Sequence, residues 1–456
     1  MTHLRTLVTT LIGLFILLPV AVCADISTSI RTEVERIRSG ECASVADCPI
    51  ASTIVLPALY EKYDYQPIWT NSDSVRQLVA AIEASHLDGL NPEDYHLGEI
   101  SRLQAELSSG GNSDTQASLD LVLTDSLVRL GYHLVIGKVD PESLDGNWNM
   151  ERTLELDPIL EMSRAIDSGN VSNLIDSFRP QAAVYHQLKS ALARYRSLQA
   201  AGGWQAVPDG QTLKPGMNDP RVVALRRRLA VTGDMPAAND ESPEFDEQLE
   251  AGVRRFQARH GLEADGVVGK GTLAELNVPV EARIDQLRVN LERARWVLND
   301  LPQDFVITDI AGFRVMYFRG GELFWESRAQ VGKSYRKTPV FRDSIRYVEF
   351  NPTWTVPPTI LKKDILPKVK KDPGYLQKKN IRVIDRNGKT VDAGAIDWSR
   401  YPAAGFPYML RQDPGPKNAL GRVKFMFPNK HAVYLHDTPH KSGFARAQRT
   451  FSSGCI

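Results

Sequence analysis

The spacing of apolar residues in this 456-residue chain changes once, near residue 300. Upstream, apolar side chains recur every three to four positions. Examples are the stretch 74–82, the stretch 119–134, and the series Ile284, Leu287, Leu291, Ala294 and Leu298. That period puts one face of a helix in a core. From Phe305 the pattern alternates, through 305–310, 313–318 and 322–327, with Ala-Gly and Arg-Gly-Gly turns between the runs. Segments 344–350, 408–410, 423–427 and 432–435 are further strand candidates. A chain of this length exceeds one ordinary core. The expected fold is therefore multidomain α+β, helical at the N-terminal end and mainly β at the C-terminal end.

The N-terminus reads as a secretory signal over residues 1–24. His3 and Arg5 form a short polar start, an apolar run extends from Leu11 to Val22, and Ala24 offers a small residue before Asp25. Pro19 interrupts the run, which is short for a membrane span. Cleavage before Asp25 and a periplasmic location are expected, with an uncleaved inner-membrane anchor as the alternative. Basic and acidic residues balance at 55 each, so no bulk field favours nucleic acid. The nine histidines and four cysteines form no close ligand cluster, and neither metal nor cofactor is expected. In an oxidising compartment Cys42 and Cys48, in a turn-rich segment, are a disulfide candidate. That pairing leaves Cys455 as the odd thiol of the mature chain.

Residues 25–205 read as a helical domain without a catalytic constellation; Trp69 and Trp148 are expected core anchors, and Leu87 to Pro92 a turn. A Gly- and Pro-rich stretch at 203–216 marks a boundary, and a compact module follows over 213–278. Its helices are expected at 222–229, at 245–260 and from Thr272, with Gly233-Asp234 ending the first. Residues 279–300 form a linker helix, and 301–456 the β-rich domain. An insertion at about 358–405 differs in texture, with a helical run at 359–366 and lysines between Pro367 and Lys379. Those lysines are either a solvated face or a basic lid that attracts an anionic substrate.

The chemistry concentrates in the last twenty residues. Cys455 follows Gly454 in a Ser-Gly-Cys turn, and His436 ends a strand candidate upstream. A free thiol titrates near pKa ~8.5, so a nucleophilic cysteine needs a nearby base to become a thiolate at neutral pH. A histidine is the usual base. Cys455 is the candidate nucleophile and His436 the candidate base. Gly454 permits a sharp turn that would aim the amides of Gly454 and Cys455 inward as an oxyanion hole. Tyr434, two residues before His436, is a candidate orienting residue.

Two resemblances follow from these residues. Leu213-x-x-Gly216, Phe256-Gln257, Gly261-Leu262 and Asp265-Gly266-x-x-Gly269-x-x-Thr272 resemble the small three-helix peptidoglycan-binding module of wall-active enzymes. Tyr434 to Pro439 followed by Phe451-Ser452-Ser453-Gly454-Cys455 resembles the active-site signature of L,D-transpeptidases. Val331 to Pro339, Asn351 to Pro357 and Pro416 to Gly421 also match that family. The order of features is similar to its large Gram-negative subgroup, with helical scaffold, peptidoglycan-binding module, and mainly-β catalytic domain with a lid-like insertion. The resemblance implies formation of 3–3 peptidoglycan cross-links through a cysteinyl thioester, with release of terminal D-alanine from a tetrapeptide stem. Hydrolysis instead of transfer would make the chain an L,D-carboxypeptidase. By the same analogy Trp354, Asn418, Leu420, Gly421 and Ser453 line the substrate groove. Partners would be stem peptides, glycan and other wall-synthesis enzymes, with carbapenem-type inhibitors. The family pattern continues past Cys455 with an arginine and a helix, whereas this sequence stops at Ile456, so a truncated C-terminus is expected. The rival reading is a non-catalytic peptidoglycan-binding scaffold.

Overall fold

The computed structural model describes residues 25–41, 44–146, 148–150, 152, 156–237, 241–299, 301–401 and 405–456. The expected signal peptide and Cys42 of the expected disulfide lie outside the described residues. Cys48 is buried. The chain forms two compact units, one from residues 25–134 with 156–179 and one from 135–152 with 180–456. Among the described residues no helix is long and apolar enough to cross a membrane.

The first unit is helical and built around Ser113–Val135. Leu121, Leu123, Leu127 and Leu130 point to different sides of this helix and all are buried, as expected of a helix enclosed by others. It also carries two buried carboxylates, each held by a full set of donors. Asp120 accepts from Tyr60 Oη at 2.6 Å and from the Ile68 and Trp69 amides at 3.1 and 3.0 Å. Asp125 accepts from Ser52 Oγ at 2.6 Å and pairs with His96 at 2.8 Å. Satisfied in this way, buried charge fixes the register of neighbouring segments instead of destabilising them. Trp69 is a buried anchor whose indole donates to Thr124 at 2.9 Å.

In the second unit, helix Ala183–Ala200 packs on the linker helix Val280–Leu298 through Tyr185, Leu192, Leu291 and Ala294. Arg295 is buried between them and donates to Tyr185 Oη at 3.1 Å and Glu292 Oε2 at 2.6 Å. Trp148 is buried edge-on against Trp296, with ring centroids 5.3 Å apart.

The module between these helices has helices Arg221–Thr232, Glu247–Arg259 and Lys270–Leu276 around Leu225, Leu229, Val253, Phe256 and Val268. Its Phe-Gln pair has a physical purpose. Phe256 fills the core, while the buried Gln257 amide donates to Asp265 Oδ1 at 2.8 Å and Val267 O at 3.0 Å. Gln257 Oε1 accepts the Gly266 amide at 2.9 Å, so one side chain shapes the whole Asp265–Val267 loop.

The β-rich part begins with a three-stranded antiparallel sheet, Phe305–Asp309, Arg314–Arg319 and Glu322–Arg328. A second antiparallel sheet places Val423–Met426 between Tyr347–Phe350 and Leu435–His436. The strand expected at 432–435 thus starts later. Asn429 Oδ1 accepts the His431 and Val433 amides, at 3.0 and 3.2 Å, and its Nδ2 donates to Phe427 and Val433 carbonyls at 2.8 Å. This side-chain-organised turn occupies the residues where alternation suggested a strand.

The insertion contains more than helix and lysines. Ile381–Ile384 and Thr390–Val391 join Met409–Gln412 and Trp354–Thr355 in a four-stranded sheet. Its helical part, Pro358–Ile360, Leu361–Ile365 and Leu366–Lys371, widens before Pro367, which lacks the amide needed to continue a regular ladder. Val369, Leu376, Val383 and Leu410 close a small core of its own.

Candidate active site

Three backbone pairings bring the C-terminal turn to the sheet. Strand Thr450–Ser452 runs parallel to Val331–Gly332, with Thr450 opposite Val331 and Ser452 opposite Gly332. Ile456 then donates its amide to Tyr434 O at 3.0 Å and accepts the His436 amide at 2.9 Å. Those two bonds bracket Ile456 as in one rung of a parallel ladder. They set Cys455 beside the strand that ends in His436.

The turn itself is closed by hydroxyls. Ser452 Oγ donates to Cys455 O at 2.5 Å and accepts the Gly454 amide at 3.1 Å. Thr338, buried, donates its hydroxyl to Gly454 O at 2.8 Å and accepts the Gly332 amide at 3.0 Å. Gly454 has φ +121°, a backbone conformation that disfavours any residue with a Cβ. Its amide is occupied by Ser452. The Cys455 amide has no hydrogen-bond partner among the described residues and is the donor left for an incoming oxyanion.

Cys455, His436, Tyr434, Lys424, Trp354 and Ser453 share the wall of a cavity of about 2360 Å³. The Cys455 thiol faces Ala432 O at 3.9 Å and makes no hydrogen bond to the imidazole. His436 Nδ1 lies 2.5 Å from Asp437 O. A carbonyl only accepts, so Nδ1 carries the proton and Nε2 keeps the free lone pair. Burial lowers the His436 pKa; the Asp437 carbonyl opposes that shift, and the Lys424 charge adds a lesser lowering. Burial raises the Cys455 thiol, partly offset by the Tyr434 backbone and the Lys424 charge. Both dominant shifts favour neutral forms. Burial thus works against the thiolate–imidazolium pair that a His–Cys spacing also allows.

The groove residues expected by analogy divide. Trp354, Leu420 and Ser453 reach the cavity wall. Asn418 is buried, and its amide is committed to backbone: it donates to Pro352 O and Asp413 O, both at 3.0 Å, and accepts the Leu420 amide at 2.8 Å. Gly421 has φ +62°, and a Cβ there would collide with the Asp437 carboxylate, which receives the Arg422 amide at 3.0 Å and pairs with Lys441. Asn418 thus holds the 412–420 loop to Pro352, and Gly421 leaves room for the Asp437 carboxylate next to His436. Among the described residues no group of three or more His, Cys, Asp or Glu is arranged to hold a metal ion.

Sequence reasoning passed over three residues here. Arg336 donates to Ser453 Oγ at 2.8 Å and to Asp364 Oδ2 of the insertion at 2.6 Å. Thr338 holds the turn, and Lys424 lies directly opposite His436 in the sheet. Arg336 and Thr338 lie in the Val331–Pro339 segment that resembles the family, but their links to the C-terminal turn join residues more than a hundred positions apart, which no local pattern marks.

Comparison with known proteins agrees with this geometry. Residues 303–456 match the family model described as "L,D-transpeptidase catalytic domain". Residues 55–192 match a "Scaffold domain", and residues 218–276 match a "Putative peptidoglycan binding domain". A protein of Haemophilus influenzae named "Putative L,D-transpeptidase" is 40% identical over 177 residues, which cover 39% of this chain. The chain spans about 35% of the length of that relative. In this order, then, the chain carries regions that match a scaffold domain, a peptidoglycan-binding domain and an L,D-transpeptidase catalytic domain.

Proposed function

We propose that the chain forms 3–3 cross-links in peptidoglycan by cysteine acyl transfer. The observation that carries this reading is the pairing of Ile456 with Tyr434 and His436, which sets Cys455 beside an imidazole whose Nε2 is free. His436 Nε2 takes the Sγ proton as sulfur attacks the carbonyl of the third stem residue. The oxyanion accepts the free Cys455 amide. Collapse breaks the peptide bond, His436 returns the proton to the leaving amine, and D-alanine departs. The thioester is then opened by the side-chain amine of a neighbouring stem, with His436 again taking the proton. Water in place of that amine gives a trimmed tripeptide, the L,D-carboxypeptidase outcome. Tyr434 orients the site, with Trp354, Leu420 and Ser453 along the groove, and Asn418 and Gly421 act from beneath it. The peptidoglycan-related domains support an extracytoplasmic site of action, and the signal-like N-terminus supports export to the periplasm.

The test is intact mass of the chain from Asp25 to Ile456 after incubation with a tetrapeptide muropeptide or a carbapenem, with Cys455→Ala as control. A stable adduct on the parent alone supports the reading. No adduct, together with retained binding to sacculi, favours the non-catalytic scaffold instead.

A further inference from the structure

Lys424 is a cation with an unusual set of neighbours. It lies on the central strand of the second sheet, directly opposite His436 on one side and Glu349 on the other. Residues opposite one another across a sheet present their side chains to the same face. That face is the cavity wall, where Lys424, Glu349 and His436 all appear. The Lys424 ammonium lies 3.9 Å from the centroid of the Tyr434 ring, and it forms no ion pair among the described residues. Most of the other charges near the dyad are already engaged: Arg336 with Asp364, and Asp437 with Lys441. Lys337, from the loop before Thr338, also lines the cavity.

We infer that Lys424 is the positioning charge of the site: held over Tyr434 and opposite His436, its ammonium stabilises the Cys455 thiolate formed when His436 removes the proton. This inference rests on Cys455 being the nucleophile of the proposed transfer. Burial disfavours charge on both the thiol and the imidazole, so forming the thiolate in this partly desolvated place is costly. A fixed cation favours the thiolate. The same cation disfavours imidazolium, so the proton on His436 is readily passed on to the leaving amine. The Tyr434 ring holds the ammonium without neutralising it, as a carboxylate partner would. Glu349, across the strand, lies on the far side of Lys424 from His436 and tempers its field.

The experiment is the pH profile of iodoacetamide alkylation at Cys455 in the full chain, read by mass on the peptide that contains it. Lys424→Met moves the alkylation midpoint upward by on the order of one pH unit, the usual effect of losing a close opposite charge. Lys424→Arg keeps it near the parent value. Glu349→Gln, which leaves Lys424 in place, moves the midpoint downward and serves as the independent arm should Lys424→Met fail to fold. A Lys424→Met profile that superimposes on the parent overturns the inference. So does a Lys424→Arg shift as large as that of Lys424→Met, or a Glu349→Gln shift in the upward direction. No substrate is involved, so failure of muropeptide acylation sinks the proposed function while leaving this profile to be read separately.

Discussion

The Thr338 hydroxyl donates to the carbonyl of Gly454 at 2.8 Å, tying the turn that carries Cys455 to a segment 116 residues earlier in the chain. The same oxygen accepts the Gly332 amide, so a single buried side chain satisfies one backbone group on each of two segments. Thr338→Val preserves shape and removes both bonds. Leaving two buried polar groups unpaired costs about 1–3 kcal/mol each. The variant is expected to unfold at lower denaturant and to acylate more slowly, whereas Thr338→Ser stays close to the parent in both. Equal acylation rates for the Val and Ser variants would count against this role.

Gly454 is constrained by conformation and not by space. The nearest atom to an added Cβ is 3.7 Å away, an ordinary contact, but φ is +121°. Gly454→Ala is therefore expected to re-aim the Cys455 amide and thiol, with strain of about 1–3 kcal/mol. Adduct formation measured by intact mass should drop by at least tenfold while circular dichroism of the helical parts is unchanged.

The buried imidazole of the peptidoglycan-binding module gives a pH prediction whose sign is fixed. Burial pushes His260 down to about 4, with the Arg259 and Arg283 charges adding to the effect against Glu275. Its unfolded value is near ~6.5. As pH falls below that value the unfolded chain binds a proton that the folded module refuses. Stability is thus fully present above the unfolded pKa and is lost as pH drops from about 6.5 toward 4. His260→Gln should flatten that limb in unfolding scans of the module's transition. An unchanged slope would assign the acid sensitivity to other groups.

Asn418 separates a bracing role from a contact role. Asn418→Ala strands the Pro352 and Asp413 carbonyls and the Leu420 amide in a buried place. Several kcal/mol of local stability should be lost, on the order of 1–3 per group. The expected signature is a lower unfolding midpoint together with loss of acylation, and no change in preference among stem peptides. A folded variant with altered stem preference would point to direct contact instead.

Arg336 links the turn before Cys455 to the insertion through Ser453 and Asp364. Arg336→Met and Asp364→Asn should each speed proteolysis within 358–405, and the double variant should be no worse than Arg336→Met, since both remove one connection. Additive effects would show that the two side chains act separately.

The sequence revealed the architecture where signals are local. The change of period at Phe305, the glycine after Thr232 and the Phe256-Gln257 pair are each readable within a few residues, because helix faces, caps and side-chain-shaped loops are short-range physics. Cys455 and His436 could be singled out as candidates because few residue types do that chemistry, while the pairing that puts them on neighbouring backbone segments needed the fold. The start of the strand before His436 was not, since Asn429 recruits the intervening amides into a turn that alternation does not register. Arg336, Thr338 and Lys424 were invisible for a different reason: ordinary polar residues gain meaning only from partners brought by the fold. The strands inside the insertion were hidden by its lysines, which sit on the outside of a small apolar core.

The parallel pairing of Thr450–Ser452 with Val331–Gly332 has a kinetic consequence. Helices of the module and hairpins of the first sheet close over short distances, whereas this rung must join segments more than a hundred residues apart before it gains any contact energy. Folding should therefore complete the helical scaffold and the three-helix module first and assemble the surroundings of Cys455 last. Until then Cys455 is an ordinary cysteine, and its chemistry is withheld from partly folded chains.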